Sequence, residues 1–265
     1  MRDHILEVIK NIELEYEVKV LFACDAGSRA LGFPSIDSDY DIRFIYLHKR
    51  DWYLSIDEQK DVLEVPKHDR LSIQIDPRLD VSGWELKKAL RLFRKSNPSL
   101  LEWLQSKEVY YQQYSTIEKM KKMEEAIFSA KPFMHHHINI AKKNFDKGLS
   151  NKKGNIKLYL YILRSILAGK WIVNSAAVPP TSLPELLQIL PTLPIKEIIL
   201  ELLSAKQSGE LLPDEIDIST LDQFISQEID SLDAYAKKLS NNHADPTDLL
   251  NKLFRETLVE VWGQG

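Results

Sequence analysis

"GSRALGFPSIDSDYDIR", residues 27–43, decides how this chain is read. It sets two glycines, a proline and a group of acidic and hydroxylated side chains between two apolar runs. The run before it, "VKVLFAC" (18–24), has the β-branched and aromatic content of a short buried strand. The run it merges into, "YDIRFIYL" (40–47), alternates polar and apolar residues and predicts a second strand. Side chains alternate along a strand, so Asp39 and Asp41 project from one side with Tyr40 opposed. Two carboxylates that close repel when ionised, and a core offers them no compensation. A divalent cation does. Hard oxygen donors suit Mg²⁺ or Mn²⁺, which commonly bind through a few carboxylates and complete their shells with substrate phosphates.

Upstream, "AGS" ends the first strand and opens a short helix or turn. Gly27 lets the backbone approach a ligand, and the N–H groups of Ser28 and its neighbours at a helix start form a cradle for an anion. A phosphate-sized anion beside a metal describes a nucleoside triphosphate site. Asp37 and Ser38 read as turn-capping residues. Arg29 sits inside the cradle, where it meets a phosphate or pairs with an acid of its own domain. Arg43 shares the strand face of Asp41, where it orients the carboxylates, contacts phosphate or makes a structural pair.

Working outward, 265 residues make one large or two modest domains, and two is the starting expectation. Residues 3–17 carry Ile5, Leu6, Ile9, Ile12 and Leu14 among charges, an amphipathic helix. "DVLEV" (61–65) and "RLSIQID" (70–76) read as further strands. From Val81 the pattern turns helical. "SGWELKKALRLFRKSNP" places Trp84, Leu86, Leu90 and Phe93 near one face, with Ser82 as N-cap and Pro98 as the stop. Beyond about residue 112 strand signals disappear, and helices are predicted over 115–130, 133–149, 155–174, 183–190, 195–207, 218–239 and 247–262. The expectation is an α+β fold, a small mixed-sheet domain over 1–112 followed by an all-helical domain over 113–265.

Composition narrows the function classes. A net charge of −4 argues against a protein that coats nucleic acid through global charge. Charge is uneven, with nine Lys and Arg against one acid from Lys131 to Trp171, and thirteen acids against five bases from Glu201 to Glu260. No 18-residue apolar run occurs, and the first residues carry acids rather than a basic segment followed by an apolar one, so neither a membrane span nor a secretory signal is expected and a cytoplasmic address fits. Cys24, the single cysteine, has no CxxC or CxxH neighbour and reads as a small buried side chain. His135, His136 and His137 point about 100° apart on a helix and cannot converge on one ion. Trp84, Trp103 and Trp171 sit at core spacing. On the apolar helix 155–174, Lys157, Tyr161 and Arg164 share a stripe that either meets a triphosphate or forms snorkelling ends and a salt bridge.

"AGSRALGFPSIDSDYDIRFIY" (26–46) resembles the signature of the polymerase-beta-type nucleotidyltransferase superfamily, in which a Gly-Ser pair precedes an Asp-hydrophobic-Asp strand by about a dozen residues. "DWYLSI" (51–56), "DVSGWELKKALRLFRKSNPSLLEWLQS" (80–106) and "KLYLYILRSILAGKWI" (157–172) extend the likeness to the nucleotidyltransferase family labelled YcgL or the RNA-repair-pathway polymerase-beta family. The resemblance implies transfer of a nucleoside monophosphate from an NTP to a hydroxyl acceptor, with Asp39 and Asp41 holding Mg²⁺ or Mn²⁺ and Gly27 and Ser28 gripping the terminal phosphates. It calls for a third carboxylate on a nearby strand and favours Asp80, which precedes "VSGWEL" (81–86), with Asp76 left open. It does not specify the acceptor, although the repair-pathway label admits RNA. The contrasting expectation is a catalytically silent nucleotide-binding or protein-interaction module on the same fold.

Overall fold

Five short segments build a mixed sheet in the computed structural model, which describes residues 1–150, 155–190, 194–209, 212, 216–240 and 244–264. The chain runs α1 (Arg2–Glu15), β1 (Lys19–Asp25), α2 (Ser28–Leu31), β2 (Tyr40–Leu47), β3 (Val62–Val65), β4 (Leu79–Glu85), α3 (Leu86–Arg94), α4 (Pro98–Gln105), β5 (Val109–Gln112) and α5 (Thr116–Ile127). The helices α6 (Ala130–Ser150), α7 (Ile156–Ser175), α8 (Leu183–Leu186), α9 (Pro194–Ser208), α10 (Ile218–Ala236) and α11 (Thr247–Trp262) follow. Strand order is β3-β4-β2-β1-β5. β2 and β4 run parallel at its centre, and the other neighbours are antiparallel. The fold is α+β, a five-stranded mixed sheet with a helical C-terminal part.

Two compact units emerge. The first joins Met1–Ala30, Asp39–Ile127 and His243–Gly265, and the second joins Leu31–Ser38 to Phe128–Asn242. In the first, Ile42, Phe44 and Tyr46 of β2 and Val81 of β4 pack against Ile5, Val8, Ile9 and Ile12 of α1. That buries one face of the central strands and leaves the alternate positions, Asp41, Arg43 and Asp80, pointing the other way. A Cβ on Gly83 would lie 2.2 Å from the Phe44 ring, so the aromatic core requires a glycine in β4. In the second unit α6, α7 and α10 pack together, and a Cβ on Gly169 of α7 would already meet Leu232 of α10 at 2.8 Å.

Three local expectations are corrected. The helix read from Ser82 begins at Leu86, because β4 keeps its period-two burial through Glu85 and Glu85 then acts as N-cap, its side chain accepting from the N–H groups of Lys87 and Lys88. Pro98 starts α4 instead of stopping a helix, with Asn97 accepting from Leu100 N–H at 3.1 Å. "RLSIQID" forms no strand. Leu71, Ile73 and Ile75 lean on the α1 side of the core, and Ser72 N–H bonds the Glu15 carboxylate where a ladder partner would be needed. The fifth strand, β5, pairs antiparallel with β1, and its four residues are too few to show a strand period in the sequence.

The expected boundary at residue 112 differs from the structural division, because α5 and α11 both join the sheet unit. Thr116 Oγ1 and Thr257 Oγ1 meet in the interior at 2.9 Å, Ser115 bonds Glu260, and Trp262 Nε1 donates to the carbonyl of His48 at 2.9 Å. No helix among the described residues is long and apolar enough to cross a membrane.

Candidate active site

The parallel ladder between β2 and β4 sets the geometry. Its register pairs Tyr40 with Leu79 and Asp41 with Asp80, so two carboxylates stand side by side on adjacent strands. Tyr40 N–H donates to the Arg78 carbonyl at 2.9 Å and pins this register one residue after Asp39. Asp39, immediately before β2, is exposed.

Arg43 bridges the pair. Its Nη2 lies 2.9 Å from Asp80 Oδ2 and 3.4 Å from Asp41 Oδ1, and its Nη1 donates to the carbonyls of Asp80 and Ile42. A rigid guanidinium fork on two part-exposed carboxylates fixes their rotamers and offsets their repulsion. Lys67 approaches Asp80 Oδ1 at 3.8 Å. Asp76, the other sequence candidate for the third acid, is held in a fork by Arg78 at 2.8 and 3.1 Å, and that hydrogen bonding draws its carboxyl down to about 2.

Gly27 abuts this site. A Cβ there would lie 1.9 Å from Asp41 Oδ2, and Ala26 N–H donates to the Asp41 carbonyl at 2.9 Å, so the loop after β1 lies directly on the carboxylate. Ser28, which opens the four-residue α2, is buried. The Arg29 guanidinium stacks over the Tyr40 ring at 3.9 Å.

Asp25 was not singled out by the sequence. It ends β1, is fully buried, and accepts the Gly27 N–H on Oδ1 at 2.8 Å, while its Oδ2 has no hydrogen-bond partner among the described residues. Gly27 N–H is therefore used internally, and the anion cradle expected there has its remaining donors from Ser28 onward. Burial pushes the Asp25 carboxyl up to about 6, the Gly27 bond opposes that, and the neighbouring Asp41 charge adds to it. Its signal in the sequence was an acid directly after an apolar strand.

Three further predicted residues belong to the second unit. In the second unit Lys157 is exposed in the first turn of α7, Tyr161 packs edge-on against Phe33 with ring centres 5.4 Å apart, and the interior Arg164 donates from Nε to the carbonyl of Thr181 at 2.8 Å. His137 is buried and His135 exposed, so the three histidines diverge as helix geometry requires. Cys24 is buried, and burial raises its thiol well above the usual range. Among the described residues no three His, Cys, Asp or Glu side chains gather into a ready cation cage.

The model of the RNA repair pathway DNA polymerase beta family matches residues 1–256. The chain belongs to that family. The chain is 43% identical over 266 residues to "Uncharacterized protein YcgL" of Bacillus subtilis (strain 168), covering 100% of this chain and 99% of the relative. A crystal structure of a nucleotidyltransferase-like protein from Exiguobacterium sibiricum 255-15 aligns over 96% of this chain and 79% of its own, at 14% identity and a TM-score of 0.32. Family membership makes the chain nucleotidyltransferase-like, and the Gly-Ser and Asp-x-Asp element of this family member occupies the loop and strand described above.

Proposed function

We propose that the protein is a metal-dependent nucleotidyltransferase that moves a nucleoside monophosphate from an NTP to a hydroxyl acceptor and releases pyrophosphate. The observation that carries this reading is the juxtaposition of Asp41 and Asp80 across a parallel ladder, with the Gly27 backbone against Asp41. The donor set fits a hard divalent cation: carboxylate oxygens only, part-exposed, with shell positions left for water and phosphate oxygens. Asp39, Asp41 and Asp80 would hold Mg²⁺ or Mn²⁺. The chemistry such ions supply is neutralisation of the triphosphate and activation of the acceptor hydroxyl.

The chain's own residues do the rest. Ser28, at the start of α2, offers N–H and hydroxyl donors to the terminal phosphates, and Asp25 keeps the preceding turn closed by holding Gly27 N–H. Arg29, fixed on the Tyr40 ring, directs its charge at the nucleotide. Arg43 orients Asp41 and Asp80. Tyr161 and Arg164, within the second unit, are assigned to its packing. Position and charge carry most of such a reaction.

The experiment is incubation with each α-labelled NTP, Mg²⁺ or Mn²⁺ and a pool of RNA or cell extract, comparing the native chain with Asp41→Asn. Label transfer that disappears in Asp41→Asn supports the reading, and equal label with both proteins overturns it. The Arg43 bridge favours one rival, because a guanidinium already satisfies both carboxylates. A silent nucleotide-binding module would bind NTP and transfer no label to any fraction.

A further inference from the structure

We propose that the groove between α3 and α11 is a binding track for a single strand of nucleic acid. On α3, Lys87, Arg91 and Arg94 are all exposed and spaced four and three apart, so they form one stripe. At 1.5 Å per residue the stripe runs about 10 Å, longer than one phosphate group. It lines a cavity of about 390 Å³ together with Tyr53, Asn251 and Phe254, and no carboxylate lines that cavity. A cationic row in a chain of net charge −4 is a local feature, and its complement is a row of anions.

The aromatic floor narrows the ligand. Tyr53 and Phe254 meet edge to face with centres 5.0 Å apart, and Tyr53 is held rigid because its hydroxyl donates to the buried Glu85 at 2.5 Å. Fixed rings beside a cationic row are what a strand of bases on a phosphate backbone uses. Lys87 and Arg91 also border a second depression, lined by Asp57, Glu58 and Asp61, whose acids repel phosphates and confine a strand to the α3–α11 side. Arg94 is steadied by donating to Thr247 Oγ1 at 2.7 Å, which ties the row to the start of α11. The three cations stand open on the surface rather than in a closed pocket, which suits an extended strand better than a small molecule. As the site of the acceptor this track rests on the transferase reading; as a binding surface it does not.

The test is fluorescence anisotropy with labelled ribo- and deoxyribo-oligonucleotides of about 12 nucleotides, with a mononucleotide and polyglutamate as competitors. The Arg91→Ala/Arg94→Ala variant changes surface residues only, and its fold is checked by thermal melting. Expected is strand binding that weakens about tenfold or more in this variant, with the slope of log K against log salt falling by about 1.4 for two lost phosphate contacts. Preference for the ribo-strand makes the track RNA-specific, and equal binding makes it general for single strands; both support the proposal. It is overturned if neither strand binds, if the variant binds as well as the native chain, or if the mononucleotide or polyglutamate competes as well as the strand. Strand binding that persists in Asp41→Asn while label transfer is lost separates the track from the transferase reading. Strand binding without transfer in the native chain sinks only that reading.

Discussion

A methyl group on Gly27 would sit 1.9 Å from Asp41 Oδ2, and the atom it meets belongs to the residue on which the proposed chemistry turns. The carboxylate would have to rotate away, breaking its register with Asp80 and Arg43. Displacement of this kind costs on the order of 100-fold in rate. Gly27→Ala is therefore expected to reduce label transfer by about that factor while lowering stability only modestly, checked by initial rates and a thermal melt of the same sample. Asp25 acts one step behind. Its Oδ1 holds Gly27 N–H, so Asp25→Ala frees the turn and is expected to raise KM for NTP by about tenfold, or ~1.4 kcal/mol, with a smaller effect on kcat. Asp25→Asn keeps an acceptor at the same place and should recover most of the loss. Steady-state kinetics of the two variants decide the point; equal KM values would remove Asp25 from the cradle.

At the scale of elements, the junction of β4 and α3 turns on Glu85. Buried at the end of the strand, it caps the helix through Lys87 and Lys88 N–H and accepts from Tyr53. Burial outweighs those bonds and pushes its carboxyl up to about 7. A folded-state value above the unfolded one means a stability contribution that is full below about pH 4.5 and lost as pH rises through 7, about 3 kcal/mol in all. Glu85→Gln keeps the cap acceptor without the charge, so its stability should change less between pH 4.5 and 7 than that of the native chain, measured by urea unfolding across that range. Glu85→Ala loses the cap and should cost roughly 1–3 kcal/mol at every pH. This junction also marks the limit of what the sequence made legible. β1 and β2 were readable because apolar alternation, the following "DAGS" turn and the Asp-x-Asp spacing agree. Trp84, Leu86, Leu90 and Phe93 fit a helical face equally well, and the ladders with β2 and β3, partners distant in sequence, make the first part a strand. Asp80 was readable as a candidate by resemblance, but its place beside Asp41 depends on a parallel pairing that no local pattern encodes. Asp25 looked like a strand terminator because its burial is a tertiary fact.

For the whole molecule, the chain returns to the sheet unit after the helical one. α11 supplies buried Leu250, Leu253, Thr257 and Leu258 to the first unit and meets α3 and α5 there, so the last element in sequence belongs to the core of the first. Boundaries read from composition miss this, since α11 has the same amphipathic pattern as the helices before it and nothing in that pattern names its partner. The energetic consequence is large. Three buried leucines at about 1.5–3 kcal/mol each, with the Thr116 hydroxyl left in the interior without its Thr257 partner, approach the whole stability of an ordinary domain, about 5–15 kcal/mol. A chain ending at residue 242 is accordingly expected to lose the sheet unit's cooperative unfolding transition, while the second unit, whose α6, α7 and α10 pack on one another, keeps its helical signal. Hydrogen exchange read by mass spectrometry distinguishes the two: protection should vanish from β1, β2 and β4 and persist in α7. If β2 kept its protection in the shortened chain, α11 would be an accessory to the sheet and not part of its core.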